Sequence, residues 1–170
     1  PKAAKIIELG VPSKKQEKNW FRTWEKRLPE PGNITFFDRS WYSRALIQPS
    51  MGYCSESQYK YFMRKVNEWE FNLIEDGLII IKFYLSISKE NQEIRFNFRQ
   101  NNDLKYWKLS PNDWKAHNNW QLITDYKEQM FKKTSTQVAP WIVINSDNKM
   151  IARLNACLLY TSPSPRDNTT

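Results

Sequence analysis

The fold is decided by the stretch Leu78-Ile-Ile-Ile-Lys-Phe-Tyr-Leu85, which is apolar apart from Lys82, rich in β-branched residues and free of Gly and Pro. Such a run is typical of a strand that is buried on both faces of a parallel sheet. Just before it, Ser55 and Gln58 form a capping-box pattern that opens a helix to about Asp76. Gly77 suits the left-handed position that ends such a helix. The sequence therefore predicts a helix that leads directly into a buried strand.

The same alternation of strands and helices continues in both directions. Ser13 with Gln16, and Ser110 with Asp113, place polar caps at two further helix starts. Ser88 can cap another helix, which runs to about Gln100. The other predicted strands cover residues 5–9, 34–37 and 140–144, and the other predicted helices cover 13–28, 88–100, 110–133 and a last one from about 148. This order predicts an α/β fold with helices layered on a parallel sheet.

The composition is that of one globular domain, with 170 residues, of which 40% are hydrophobic and 26% charged. No apolar run is long enough to span a bilayer, and the two cysteines give neither a disulfide framework nor metal-ligand spacing. These features predict a cytoplasmic protein. The net charge of +8 fits either an anionic partner or simply a soluble basic surface.

An acid and a base, Asp38 and Arg39, directly follow the predicted strand 34–37. In parallel α/β folds, ligands bind beyond the carboxyl ends of the strands. An Asp in this position can hold Mg²⁺ through water, and an adjacent Arg can bind a phosphate with two hydrogen bonds. Many such Asp residues are only helix caps, and the pattern alone favours a cap.

Four segments at compatible spacing favour a ligand-binding role for Asp38 over a helix cap. They read Phe36-Phe-Asp-Arg-Ser-Trp-Tyr-Ser-Arg-Ala45 with Met51-Gly-Tyr-Cys54, Glu75-Asp-Gly-Leu-Ile-Ile-Ile-Lys-Phe-Tyr-Leu-Ser-Ile-Ser88, Trp107-Lys-Leu-Ser-Pro-Asn-Asp113, and Ala139-Pro-Trp-Ile-Val-Ile-Asn145 with Ala152-Arg-Leu-Asn155. Over about residues 4–156 the chain resembles the polyphosphate kinase 2 family. The resemblance implies a three-layer α/β/α fold like that of P-loop kinases, with a helical lid. It also implies phosphoryl transfer, with Mg²⁺, between inorganic polyphosphate and nucleotides.

The resemblance further implies roles for individual residues and partners. Asp38 would be the Walker B acid that binds Mg²⁺, Arg39 a phosphate ligand and Arg44 a further ligand facing the cleft. The nucleotides would be ADP and ATP first, with AMP and GDP as further candidates, in a homo-oligomer that binds neither membrane nor nucleic acid. Ser43 departs from the Asn usual in the family. Because a hydroxyl cannot make both hydrogen bonds of an amide, the local nucleotide or metal contact is left open.

A second group of cations lies in a predicted lid over about residues 92–113. Arg95 and Arg99 are four residues apart and share a helix face, and Lys105 and Lys108 lie in the loop that follows. By charge alone this pattern fits a solvated helix face. Together with the matching segment 107–113, it predicts a lid that closes over polyphosphate.

Other candidates are weaker. His117, the only histidine, lies in a polar helical stretch and is predicted to be solvated. Cys54 has no acid–base partner nearby and is predicted to be a small packed residue, and Trp141 in a predicted strand is expected in the core. Arg153 fits a contact to nucleotide phosphate and a surface role equally well.

The sequence contains no G-x-x-x-x-G-K-[ST] loop, because its glycines at 10, 32, 52 and 77 do not have that spacing. In the family this loop precedes the strand at 5–9, so residues 1–156 are expected to be an N-terminally truncated domain. Without the loop, the chain is predicted to be inactive. The expected strand order is 2-3-1-4-5 with strand 1 absent, and the unpaired strand edges predict poor solubility. Residues 157–170 resemble a translated sequencing adapter and are expected to be a non-native tail.

Two alternatives remain open at this point. A non-catalytic basic module could bind single-stranded nucleic acid by stacking, although most aromatics lie at helical core spacing. Another P-loop kinase, of the thymidylate-kinase type, would share the fold but not the segment 107–113.

Overall fold

The computed structural model describes residues 4–8 and 10–161. The chain divides into two compact units, Pro1–Arg64 and Lys65–Thr170, and each is described by itself. Within the described residues each unit contains one pair of parallel strands, which confirms the α/β class. In the same residues no helix is long and apolar enough to cross a membrane. Leu9, placed in the first predicted strand, and residues 162–170 of the predicted tail lie outside the described residues.

The first unit alternates strands with short helices. Its elements are β1 (Ala4–Glu8), α1 (Lys14–Lys18), α2 (Trp20–Glu25), β2 (Ile34–Asp38), a 3₁₀ helix (Trp41–Arg44), α3 (Ile47–Met51) and the first turns of α4 (Glu56–Glu75). Strands β1 and β2 are parallel, with Ala4 opposite Ile34 and Glu8 opposite Asp38. The carboxyl ends of both strands therefore meet at one edge of this sheet.

The helix predicted over residues 13–28 is wrong in its length because it is interrupted at Asn19. The predicted cap is present, and the Ser13 backbone N–H donates to Gln16 Oε1 at 2.8 Å. At Asn19 the backbone leaves the helical region (φ −115°, ψ 54°), and its side-chain amide donates to the Lys15 carbonyl at 3.1 Å. Asn side chains compete in this way with helical backbone bonds, so α1 and α2 form instead of one helix.

Aromatic side chains form the core of the first unit. Trp24 is fully buried, and its ring meets those of Trp20, Phe37 and Trp41 edge-on at centroid distances of 5.7, 5.5 and 6.1 Å. Edge-to-face packing of this kind adds about 0.5–1.5 kcal/mol per pair beyond the area that is buried. The cluster fixes β2, which carries Phe37, against α2.

The second unit carries the predicted lid. After α4 its elements are β3 (Lys82–Ser86), α5 (Lys89–Gln100), a 3₁₀ helix (Tyr106–Lys108), α6 (Pro111–Asn118), α7 (Trp120–Thr134), β4 (Trp141–Asn145) and α8 (Lys149–Thr161). The predicted caps at Ser88 and Ser110 are confirmed, whereas the helix predicted over 110–133 is split at Asn119. Strands β3 and β4 are parallel. The pairs β1–β2 and β3–β4 agree with neighbours 2-3 and 4-5 of the expected order.

The strand predicted over residues 78–85 is shorter and more exposed than expected. The Leu78 N–H donates to the Leu73 carbonyl at 3.0 Å, and Gly77 has a φ of 92°, so both residues close the end of α4. The strand ladder begins only at Lys82. Ile79 is 85% exposed and Leu85 60% exposed, so burial on both faces is contradicted. The reason is that, among the described residues, β3 has β4 as its one partner strand.

His117 is buried rather than solvated, which corrects the prediction. It is 8% exposed, and its Nδ1 lies 2.9 Å from Gln92 Oε1. Its ring meets those of Phe96 and Trp114 at 6.1 and 5.9 Å. The polar sequence around His117 conceals this burial because the covering aromatic rings come partly from α5.

A buried ion pair joins α4 to β3 in the second unit. Lys82 Nζ lies 2.9 Å from Glu70 Oε2, with side chains only 3% and 2% exposed, and it also donates to the Thr134 carbonyl at 2.8 Å. The Trp141 indole N–H donates to Thr134 Oγ1 at 2.9 Å. Burial lowers the pKa of Lys82, and Glu70 partly offsets this effect.

Candidate functional site

The carboxyl edge of the first sheet carries two exposed carboxylates. Asp38 is the last residue of β2, and Glu8 is the last residue of β1 and its register partner. Opposite residues of parallel strands point to the same face, so the two acids are neighbours. Within the described residues, the exposed Asp38 side chain makes no hydrogen bond or ion pair and is available to a ligand.

Arg39 follows in a left-handed backbone conformation, with a φ of 60°. For a residue other than Gly this conformation costs roughly 1–2 kcal/mol. The turn that it makes is held by Ser40, whose Oγ accepts the Tyr42 N–H at 3.4 Å and caps the 3₁₀ helix. Strained backbone of this kind clusters at ligand-binding sites.

Arg44 is buried inside the first unit, with 1% of its surface exposed. Its guanidinium lies over the Trp20 ring at 4.4 Å, and Nη2 donates to the Glu17 carbonyl at 3.1 Å. Nη1 is buried without a hydrogen-bond partner. Because Arg44 is buried, it does not show the predicted position facing a cleft. Phosphate binding by Arg44 stays a prediction, and Nη1 would be the donor.

Cys54 lies beside Arg44. Burial raises the pKa of the Cys54 thiol, and the nearby Arg44 charge offsets part of that rise. The thiol therefore stays protonated at neutral pH, as a packed residue would.

Arg95 anchors α5, the helix of the predicted lid, within the second unit. Its Nη2 donates to the Ser146 carbonyl at 2.6 Å and to the Asp147 carbonyl at 2.9 Å, in the segment between β4 and α8. One guanidinium nitrogen is thus engaged by protein, and phosphate binding by Arg95 stays a prediction.

Several cations converge on Lys149, the first residue of α8. The charge of Arg95 lowers the pKa of Lys149 most, followed by burial and then by the charges of Arg99, Arg153 and Lys105. We call these five residues the cation cluster. Three of its members are the predicted lid residues Arg95, Arg99 and Lys105. Lys149 was not predicted from the sequence, and Arg153 fitted a phosphate contact and a surface role equally well. The available signal was their spacing of four residues, which places both on one helix face.

Lys108, like Lys105, lies over an exposed aromatic ring. Its Nζ lies 5.0 Å from the centre of the Trp107 ring, and its carbonyl accepts from Arg99 Nη1 at 3.4 Å. Trp107 is 69% exposed and Tyr106 63% exposed. The loop of the predicted lid therefore presents aromatic rings as well as positive charge to solvent.

No group of three or more His, Cys, Asp or Glu side chains that could hold a metal ion occurs among residues 4–8 and 10–161. The exposed Asp38 with its neighbour Glu8 still suits Mg²⁺, which keeps several waters and needs only one or two carboxylates besides substrate phosphates. Dedicated cages for other metals are not formed by these residues.

Comparison with known proteins gives consistent matches. The sequence matches the family described as Polyphosphate kinase 2 (PPK2) over residues 1–166. It is 44% identical over 156 residues to the GDP-polyphosphate phosphotransferase of Pseudomonas aeruginosa, covering 91% of this chain and 44% of that protein. It is 39% identical over 156 residues to the ADP-polyphosphate phosphotransferase of the same organism, covering 91% and 51%.

A solved structure agrees with these matches. The crystal structure of polyphosphate kinase 2 from Arthrobacter aurescens superposes with a TM-score of 0.87 at 30% identity, covering 94% of this chain and 57% of that one. The chain spans about half the length of the curated relatives that it matches.

Proposed function

Since the chain belongs to the polyphosphate kinase 2 family, we propose that it is part of a larger enzyme that transfers phosphoryl groups between inorganic polyphosphate and a nucleoside di- or monophosphate. The names of two relatives pair GDP and ADP with polyphosphate, which supports diphosphate acceptors. We expect the ADP/ATP pair first, with AMP and GDP next. The proposal includes a cytoplasmic homo-oligomer that binds neither membrane nor nucleic acid.

The observation that carries this proposal is the carboxyl edge of the first sheet. Strand β2 ends there in the exposed Asp38, and Arg39 follows with a strained backbone. Parallel sheets bind ligands at this edge, and strain of this kind is kept where it serves binding. Both features support an active-site position for the two residues.

In the proposed site Asp38 would hold Mg²⁺ through water, and Arg39 would orient a phosphate with two parallel hydrogen bonds. The metal would supply charge neutralisation at the reacting phosphates. Arg44 would contribute the donor Nη1. The rest of the polyphosphate would be held by lid residues Arg95, Arg99, Lys105 and Lys108.

The glycine-rich loop is missing from the sequence, so we propose that the 170 residues alone are inactive and poorly soluble. The test is a fusion that places a segment with a G-x-x-x-x-G-K-[ST] loop before residue 4. We expect polyphosphate-dependent formation of ATP from ADP by the fusion and none by the 170 residues. A cooperatively folded fusion without this activity would refute the proposed function. Activity of the 170 residues would refute the need for the loop.

The exposed rings of Trp107 and Tyr106 favour one second candidate, a module that binds single-stranded nucleic acid. Bases could stack on these rings while Lys108 contacts the phosphate backbone. Binding of an oligonucleotide in preference to polyphosphate, with loss in Trp107→Ala, would favour this candidate. Equal binding by the Trp107→Ala variant would exclude it.

A further inference from the structure

A surface cavity lies on the first unit where α1 meets α2. Its volume is about 580 Å³, which is in the range of sites that bind small molecules. Most of its lining side chains are positively charged, the others are neutral and polar, and no acidic side chain of the described residues lines it. The cations are Lys15, Arg22, Lys26 and Arg27. The cavity therefore presents four positive charges to one ligand.

The cavity depends on the break between α1 and α2. In an unbroken helix, residues 15, 19, 22 and 26 would form one straight ridge, because their spacing is that of a single helix face. At Asn19 the backbone leaves the helical region (φ −115°, ψ 54°), so Lys15 lies before the break while Arg22 and Lys26 lie after it. Side chains of both helices consequently line the same concave surface.

The neutral side chains of the cavity are already engaged with the backbone. Asn19 Nδ2 donates to the Lys15 carbonyl at 3.1 Å, and Thr23 Oγ1 donates to the Asn19 carbonyl at 2.8 Å. Gln16 Oε1 accepts the backbone N–H of Ser13 at 2.8 Å. A ligand in the cavity would therefore be bound mainly by the four cations.

The four cations combine one fixed group with three available ones. The guanidinium of Arg27 lies over the Trp24 ring, 5.3 Å from its centre, which holds it in place. Lys15, Arg22 and Lys26 make no ion pair within the part of the chain that the structure describes. Their charges are thus free to bind an anion, and Arg27 adds a group that is already oriented.

We infer that this cavity binds a compact, metabolite-sized anion that carries several negative charges on phosphate or carboxylate groups. Arg binds either group with two parallel hydrogen bonds, and Lys adds a compact point charge. Because neither Asp38 nor Arg39 lines the cavity, the anion would be an effector at a second site rather than a reacting group. The inference does not rest on the proposed function.

The test measures binding of citrate, a tricarboxylate, and of fructose bisphosphate by calorimetry. It uses the 170-residue chain and, in parallel, the loop-completed fusion, which carries the missing glycine-rich loop. We expect saturable binding that weakens as salt is added, and the tighter of the two probes identifies carboxylate or phosphate as the preferred group. Arg22→Gln and Lys26→Gln should each weaken binding about fivefold, and the double variant about twentyfold.

Two controls make the result specific. Lys18→Gln removes an exposed cation of α1 that does not line the cavity, and it should leave binding unchanged. Lys26→Arg keeps the charge and should keep the affinity. The inference would be overturned if neither probe bound saturably, if the double variant bound like the wild type, or if Lys18→Gln and Lys26→Gln caused equal losses. These outcomes leave the proposed function standing, because polyphosphate-dependent ATP formation is measured separately.

Discussion

Replacing Lys82 by Met should strongly destabilise the second unit. The change removes one partner of a buried ion pair and leaves the Glu70 carboxylate, only 2% exposed, without its cation. At a separation of 2.9 Å the two charges attract by about 6 kcal/mol for an effective dielectric constant of about 20. Desolvation offsets much of this gain in the intact pair, at several kcal/mol per ion. Without Lys82, the buried Glu70 carboxylate keeps its desolvation penalty but loses the attraction of the Lys82 ammonium, and we expect a loss of about 3–5 kcal/mol.

The assay measures the free energy of unfolding in urea for the single variants Lys82→Met and Glu70→Gln, for the double variant Lys82→Met/Glu70→Met and for a surface control. Glu70→Gln should cost less than Lys82→Met, because Lys82 keeps its bond to the Thr134 carbonyl. Lys82→Met/Glu70→Met should be more stable than Lys82→Met alone. The control Lys60→Met breaks the exposed pair with Glu56, at 2.7 Å, and should cost much less than Lys82→Met.

The reasoning would be refuted if Lys82→Met cost no more than the surface control. It would also be refuted if the double variant were less stable than Lys82→Met, because no unpaired buried charge remains in the double variant.

Three further outcomes are expected. Arg39→Gly should be about 1 kcal/mol more stable than Arg39→Ala in urea unfolding, because only Gly accepts a φ of 60° without strain. Folding lowers the pKa of Lys82, so at pH values between the folded and the ordinary Lys pKa the unfolded chain binds more protons than the folded chain. The free energy of unfolding, compared with that of Lys82→Met, should therefore rise with pH across this range. Trp24→Ala should lower the free energy of unfolding of the first unit by about 3–5 kcal/mol, because Trp24 is fully buried.

Features that rest on local hydrogen bonds could be predicted from the sequence. The caps at Ser13, Ser55, Ser88 and Ser110 each depend on a side chain within three residues, and all four were predicted. The end of β2 at Asp38 was placed within one residue for a similar reason, because the apolar strand pattern stops there.

Features that depend on competition for backbone hydrogen bonds, or on residues distant in sequence, could not be predicted from the sequence. The helix breaks at Asn19 and Asn119 arise where the backbone of an Asn leaves the helical region, and Asn side chains compete with helical backbone bonds. Burial of Arg44 depends on Trp20, far from it in sequence. Convergence of Lys149 with Arg95 depends on the packing of α8 against α5. None of these contacts leaves a periodic signal in the chain.

The role of Asp38 is tested most directly by Asp38→Asn in the loop-completed fusion, with Asp76→Asn as the control for an exposed acid away from the strand ends. The measurement is kcat for ATP formation from ADP and polyphosphate across a Mg²⁺ titration. Our account predicts that Asp38→Asn lowers kcat by about a hundredfold or more, because charge stabilisation worth several kcal/mol is lost, and that Asp76→Asn has full activity. Full activity of a folded Asp38→Asn variant would contradict it.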